Sequence, residues 1–156
     1  MLFFGVFRAL IGDEFFVFGG YICHGEDDGT DIEFEQEYSN DLFALNLRTL
    51  KWRKFQPATK PLPVDKTCLC ASDDGRYLYT FGGYGDAPEP LVNHPLRPLY
   101  KPDVTSQWQW PRGWHANLCR FDLVAGQWEW IQTSGCQPEP RAGKGSIRYS
   151  GFFQTL

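Results

Sequence analysis

Phe15-Phe16-Val17-Phe18-Gly19-Gly20-Tyr21 and Leu78-Tyr79-Thr80-Phe81-Gly82-Gly83-Tyr84 are two copies of one pattern, an apolar run followed by a double glycine and a tyrosine. Aromatic and β-branched residues in a short run favour a buried strand. Two glycines directly after such a strand allow positive φ and close backbone approach, which a side chain would prevent. The recurrence therefore predicts a repeat architecture of short strands.

The similarity continues beyond the glycines. The first copy is followed by the alternating run at residues 40–47 and then by Trp52, and the second by the run at residues 116–123 and then by Trp128. A four-stranded antiparallel sheet that packs face to face on a neighbour needs a large apolar residue on its outer strand, because twisted sheets diverge there. Each copy thus predicts one such sheet, and no helix is predicted.

The order of these elements, together with Pro138-Glu139-Pro140-Arg141 after the second tryptophan, resembles the kelch repeat. The resemblance implies an all-β fold, a kelch-type β-propeller. On this pattern the blades cover residues 4–55 and 67–132, and a third begins at residues 145–156. Since propellers close with roughly 4 to 8 blades, about two and a half four-stranded blades predict an incomplete propeller, a fragment or a shortened form.

Composition excludes several classes of protein. The chain has 156 residues, of which 42% are hydrophobic, and no uncharged apolar run approaches the length that a membrane span requires, about 20 residues. Its net charge of −4 argues against nucleic-acid binding, which needs a basic surface. The five cysteines and the absence of a secretory signal predict a reducing environment, in the cytoplasm and/or the nucleus.

The connections after the double glycines, residues 22–39 and 85–115, exceed the usual hairpin loop of about 2 to 5 residues. The second connection contains Trp108, Trp110 and Trp114 beside Arg112. Aromatic and arginine side chains dominate binding hot spots, so this segment is a candidate recognition surface. The alternative, that Trp108, Trp110 and Trp114 pack the loop onto the blade, stays open.

Pro111-Arg112-Gly113-Trp114, with the opening Gly82-Gly83-Tyr84-Gly85, is similar to the small kelch-domain-containing substrate receptors of cullin-RING ubiquitin ligases. That resemblance implies a protein or carboxy-terminal peptide ligand, often with a glycine end. It implies the peptide-binding residues Lys66, Tyr84, Arg112 and Trp114. A carboxylate requires cations, and a terminal glycine fits between flat walls that exclude a side chain.

The chain departs from the family pattern, since Gly143-Lys144-Gly145 stands where a histidine often follows the Pro-X-X-Arg segment of kelch blades. Further arginines and the segment that docks the ligase adaptor lie in later parts of the receptors, and this chain ends before both. Two alternatives therefore stay open: a generic kelch scaffold that binds a folded protein, and a truncated product without function.

No catalytic residue, cofactor or metal site is predicted. Cys68 and Cys70 share one face of a strand without a second ligand pair at zinc spacing, which favours buried thiols. Residues 27–31 lack the ligand alternation of a calcium loop, and residues 143–146 lack the glycine and hydroxyl of a phosphate loop. No nucleophile can be matched to the histidines, which are His24, His94 and His115.

Overall fold

The structure is a computed structural model that describes residues 2–4, 7–24, 35–87, 99–106, 111–143, 146–149 and 152–155. These residues contain 15 β-strands arranged in four sheets. Every pairing between the strands is antiparallel. We call β1 to β7 the first repeat and β8 to β13 the second repeat.

The first repeat forms two sheets on either side of its double glycine. A four-stranded sheet has the order β2-β3-β6-β7, with β2 at Phe7–Ile11, β3 at Glu14–Phe18, β6 at Leu42–Asn46 and β7 at Lys51–Lys54. A three-stranded sheet has the order β1-β4-β5, with β1 at Leu2–Phe4, β4 at Tyr21–His24 and β5 at Glu35–Tyr38.

The second repeat forms one six-stranded sheet. Its strands are β8 (Val64–Asp65), β9 (Cys68–Ala71), β10 (Tyr77–Asp86), β11 (Tyr100–Pro102), β12 (Arg112–Asp122) and β13 (Gln127–Trp130). β10 lies between β12 on one side and both β8 and β9 on the other. A last hairpin joins β14 (Ser146–Tyr149) to β15 (Phe152–Thr155).

The strands extend further into the long connections than the sequence predicted. β10 continues through Gly82-Gly83 to Asp86, with only a register shift between Phe81 and Gly83. Its partner β12 starts at Arg112, within the connection predicted for residues 85–115. The prediction was wrong at both ends because a double glycine can form a bulge in a strand as well as end one.

The hydrophobic core lies between the two repeats. Phe18 of β3 packs against Trp128 of β13 with ring centroids 4.9 Å apart, and Phe55 packs against Phe121 of β12 with ring centroids 5.1 Å apart. Trp128 is 6% exposed, whereas Trp52, its counterpart in the first repeat, is 56% exposed. The outer-strand tryptophan of the second repeat therefore fills the gap between neighbouring sheets.

The double glycines permit a close approach in both repeats. Gly19 and Gly82 have φ of 67° and 69°, and a Cβ at either position would lie 2.5 Å from the carbonyl oxygen of Val64 or 2.6 Å from that of Arg141. The next residues, Gly20 and Gly83, donate their N–H to the same two carbonyls at 2.9 Å. Each double glycine thus bonds its repeat to a later segment of the chain, at Val64 for the first repeat and at Arg141 for the second.

Across the described residues, no helix has the length and apolar character needed to cross a membrane.

Candidate functional site

Three strands of the second repeat bring the predicted peptide-binding residues together. Tyr84 of β10 lies directly opposite Asp65 of β8 and opposite Trp114 of β12. Residues directly opposite in a sheet share one face, so this row places all three side chains on one surface. Arg112 lies two residues before Trp114 and belongs to the same face.

Lys66 provides an exposed cation at one end of this row. It follows β8 with a φ of 50°, and 56% of its side chain is accessible. Its Nζ lies 5.9 Å from the centroid of the Tyr84 ring and 3.4 Å from Oδ2 of Asp65. The ammonium group therefore stands over the aromatic surface with part of its charge balanced by a carboxylate.

Arg112 provides a second cation, but a buried one. Its side chain is only 5% exposed and its Nε lies 3.5 Å from Oδ1 of Asp86. The guanidinium carbon stands 4.9 Å from the ring centroid of Tyr38, which belongs to the first repeat. The arginine thus lies where the two repeats meet, with its side chain almost entirely shielded from solvent.

Four aromatic rings form a continuous series on this face. The ring centroids are 5.3 Å apart between Tyr21 and Tyr38, 6.1 Å between Tyr38 and Tyr84, and 5.6 Å between Tyr84 and Trp114. Sequence reasoning identified Tyr84 and Trp114 and missed the other two. The available signal was the repeat itself, since Tyr21 follows the first double glycine as Tyr84 follows the second.

Each cation has a carboxylate beside it, and a third carboxylate lies beside Tyr84. Burial raises the pKa of Asp65, although Lys66 and Arg112 oppose that effect, and burial also raises the pKa of Asp86. Asp103 accepts a hydrogen bond from the Tyr84 hydroxyl at 3.0 Å, and the Thr105 hydroxyl contributes most to lowering the pKa of its carboxyl. The surface is therefore an alternation of charges and not a purely basic patch.

Two glycines allow the supporting strands to approach. Gly85 and Gly113 lie opposite each other in β10 and β12. A Cβ on Gly85 would collide with the Pro63 carbonyl, and one on Gly113 would collide with the Lys101 carbonyl. Replacing Gly85 would displace β8 together with Asp65 and Lys66. Replacing Gly113 would displace β11, the strand that pairs with β12 beside Trp114.

This arrangement favours binding of an anion flanked by flat groups. Two cations of different exposure lie beside aromatic rings, which suits a carboxylate attached to an unhindered chain. Within the part of the chain that the structure describes, no three His, Cys, Asp or Glu side chains are placed to hold a metal. Trp108 and Trp110, the acidic segment 27–31 and Lys144 of the 143–146 segment lie outside the described residues.

The two cysteines of β9 lie away from this face. Cys68 and Cys70 of β9 form no disulfide and are each 7% exposed. The contact with Cys70, together with burial, raises the pKa of the Cys68 thiol. Both cysteines line a cleft of about 290 Å³ with Tyr79, Phe81 and Leu118. None of the four predicted peptide-binding residues borders that cleft.

The chain is similar to known proteins both in sequence and in structure. Kelch domain-containing protein 1 of Mus musculus is 31% identical over 141 residues, which cover 86% of this chain and 30% of the mouse protein. The solved structure of YjhT superposes with a TM-score of 0.60 and 18% identity, over 97% of this chain and 37% of that chain. No family model matches the sequence. The chain thus spans about a third of the length of either protein.

Proposed function

We propose that this chain, which has a kelch-type β-propeller fold, is a protein-binding module whose ligand is the carboxy-terminal segment of another protein. The placement of Lys66 and Arg112 beside the rings of Tyr84 and Tyr38 is the observation that carries this proposal. A chain terminus is a carboxylate without further substituents, and two cations beside flat walls fit that group better than they fit an internal peptide segment.

The two cations have different parts in this proposal. Lys66 is exposed and can move toward an incoming carboxylate, because its stem is flexible and its ammonium is a point charge. Arg112 is fixed by burial and by its contacts with Asp86 and Tyr38. Arg112 therefore supplies a stationary positive potential at the junction of the repeats, and Lys66 supplies the direct contact.

The aromatic walls set the selectivity in this proposal. Tyr84 and Trp114 meet edge to face at 5.6 Å with an interplanar angle of 71°. We expect the residue that packs against this flat aromatic wall to be glycine, because the wall leaves a side chain nowhere to go. This selectivity follows from the shape of the wall and needs no catalytic residue, so the proposed role is binding and not catalysis.

A role as part of a substrate receptor of a cullin-RING ubiquitin ligase extends this proposal. The segment Pro111-Arg112-Gly113-Trp114 supports it through its similarity to those receptors. Cys68, Cys70, Cys119 and Cys136 form no disulfide, which is compatible with the reducing environment of the cytoplasm or the nucleus, where that role would be exercised.

Calorimetry on the 156-residue chain tests the carboxylate and its aromatic wall. A peptide with a free glycine end should bind, and amidation of that end should abolish binding because the charge is removed. Trp114→Ala should weaken binding of the free-acid peptide by about 2 kcal/mol, which is the effect of removing an interface hot spot. Trp130→Ala is the matched control, since Trp130 is 48% exposed and lies on β13, outside the row.

Two outcomes would contradict the proposal. Equal affinities for the free and the amidated peptide would point to the alternative, a scaffold that binds a folded protein through its surface. Equal losses in Trp114→Ala and Trp130→Ala would show that the ligand does not touch the Trp114 wall.

A further inference from the structure

The aromatic series consists of two pairs that the repeat relates to each other. Tyr21 pairs with Tyr38 across β4 and β5, and Tyr84 pairs with Trp114 across β10 and β12. Tyr21 and Tyr84 each follow a double glycine, so the pairs occupy equivalent places in neighbouring blades. Both pairs are half-buried and in ring contact through Tyr38 and Tyr84 at 6.1 Å.

The cations, in contrast, are not repeated. Tyr21 pairs with Phe4, and Tyr84 pairs with Asp65. Lys66, which follows Asp65, therefore corresponds to Gly5, which follows Phe4. Arg112 pairs with Asp86 two places after Tyr84, and the corresponding pair in the first repeat is Cys23 with Gln36. The described strands of the first repeat therefore have the aromatic pair and no cation of their own at these two positions. Arg112 reaches the Tyr38 ring from the second repeat, and the register partners at these positions within the first repeat are uncharged, which suits an uncharged group.

We propose that Tyr21 and Tyr38 form a second subsite, which receives an uncharged apolar side chain of the ligand upstream of its carboxylate. This inference rests on the proposed function, because it takes the terminal carboxylate to lie between Lys66 and Arg112. The ligand then runs from the junction over the first repeat. The other direction, along β10 and β12 beyond Arg112, leads past the carboxylates of Asp86, which pairs with Arg112, and Asp103, whose N–H bonds to the Arg112 carbonyl, and these would favour a basic segment instead.

The spacing of the rings identifies the ligand residue. An extended chain advances about 3.3 Å per residue and places alternate side chains on one side, so equivalent side chains recur at about 6.6 Å. The Tyr38 and Tyr84 centroids are 6.1 Å apart. The side chain on the Tyr21–Tyr38 pair is therefore that of the residue two places before the carboxy-terminal glycine.

A double-mutant cycle between protein and peptide tests this subsite on the 156-residue chain. Two free-acid peptides differ at one position, ending in Leu-Ala-Gly or Gly-Ala-Gly. On the unaltered chain, the change from leucine to glycine should weaken binding about five- to tenfold. On Tyr21→Thr, which removes the ring and keeps a residue favourable for strands, the same change should weaken binding less than twofold.

Two further variants test whether the preference for leucine depends on the aromatic ring of Tyr21. Tyr21→Phe keeps the ring and should restore the preference for leucine. Tyr77→Ala removes a tyrosine of β10 that contacts Tyr79 away from the site, and should leave the preference unchanged.

The outcomes distinguish failure of the subsite from failure of the proposed function on which the subsite rests. An equal preference for leucine on Tyr21→Thr and on the unaltered chain would overturn the subsite, while a loss of binding on amidation would still support the carboxylate site. If both free-acid peptides bind no better than their amidated forms, the proposed function fails and the subsite fails with it.

Discussion

His115 is a buried side chain whose protonation state the surrounding residues determine. It is 1% exposed, and its Nε2 lies 3.1 Å from the carbonyl oxygen of Asp86, so Nε2–H donates to that oxygen. Burial lowers the pKa of His115 to about 4. The imidazole is therefore neutral near pH 7, and its hydrogen bond holds the strand on which Asp86 faces Arg112.

This histidine predicts a specific dependence of stability on pH. The unfolded chain has an ordinary histidine pKa of about 6.5, so it binds more protons than the folded chain between pH 6.5 and about 4. The free energy of unfolding should fall by up to about 3 kcal/mol as the pH is lowered through that interval. Urea unfolding at a series of pH values measures the slope.

His115→Gln is the control for that slope. Glutamine can donate to the Asp86 carbonyl but does not titrate, so the fall in stability across this interval should largely disappear. An unchanged slope in His115→Gln would assign it to carboxyl groups instead.

At the same scale, the sequence predicted only part of the candidate site. Lys66, Tyr84, Arg112 and Trp114 follow from a local motif and a resemblance, and the structure places them on one side of the β8–β10–β12 sheet. Tyr38 could not be identified in this way. Its contact with Arg112 depends on how the two repeats pack, and strand pairing within either repeat carries no information about that packing.

Among the elements, the double glycine has the clearest physical role. In both repeats its first glycine has a positive φ and faces the carbonyl of a distant segment, Val64 or Arg141. The sequence predicted this close approach, because only glycine combines the conformation with the space. It could not predict whether the strand ends there, since a bulge and a strand end require the same backbone freedom.

The close approach can be separated from the positive φ by comparing two glycines. Gly82 and Gly126 have φ of 69° and 68°. A Cβ on Gly82 would lie 2.6 Å from the Arg141 carbonyl oxygen, whereas a Cβ on Gly126 would meet nothing within 4 Å. Gly126→Ala should cost about 1 kcal/mol from the backbone alone. Gly82→Ala should cost at least about 2 kcal/mol more, because the segment at Arg141 must move.

Chemical denaturation of the two variants measures that difference. The proposed role of the double glycine would be wrong if Gly82→Ala and Gly126→Ala destabilised the chain equally.

For the whole molecule, stability depends on how neighbouring sheets share one apolar layer. The described core combines Phe16, Phe18 and Leu42 of the first repeat with Leu78 and Trp128 of the second. These side chains form one cluster that spans both repeats, so each repeat buries part of its apolar surface against the other. The kelch-type fold was predictable from the sequence because the repeat encodes this layer twice, through the same pattern of alternate residues.

The two repeat-related tryptophans therefore predict unequal effects on global stability. Trp128→Ala should lower the free energy of unfolding by about 3 to 5 kcal/mol, because the side chain is 6% exposed and packs on Phe18 and Phe121. Trp52→Ala should cost less than about 1 kcal/mol, since Trp52 is 56% exposed. Guanidinium unfolding of the 156-residue chain and both variants measures the comparison. Equal costs would mean that Trp52 is buried in solution against a surface other than the described residues. A small cost for Trp128→Ala would mean that the repeats do not share the core, and the propeller arrangement would then be wrong for this chain.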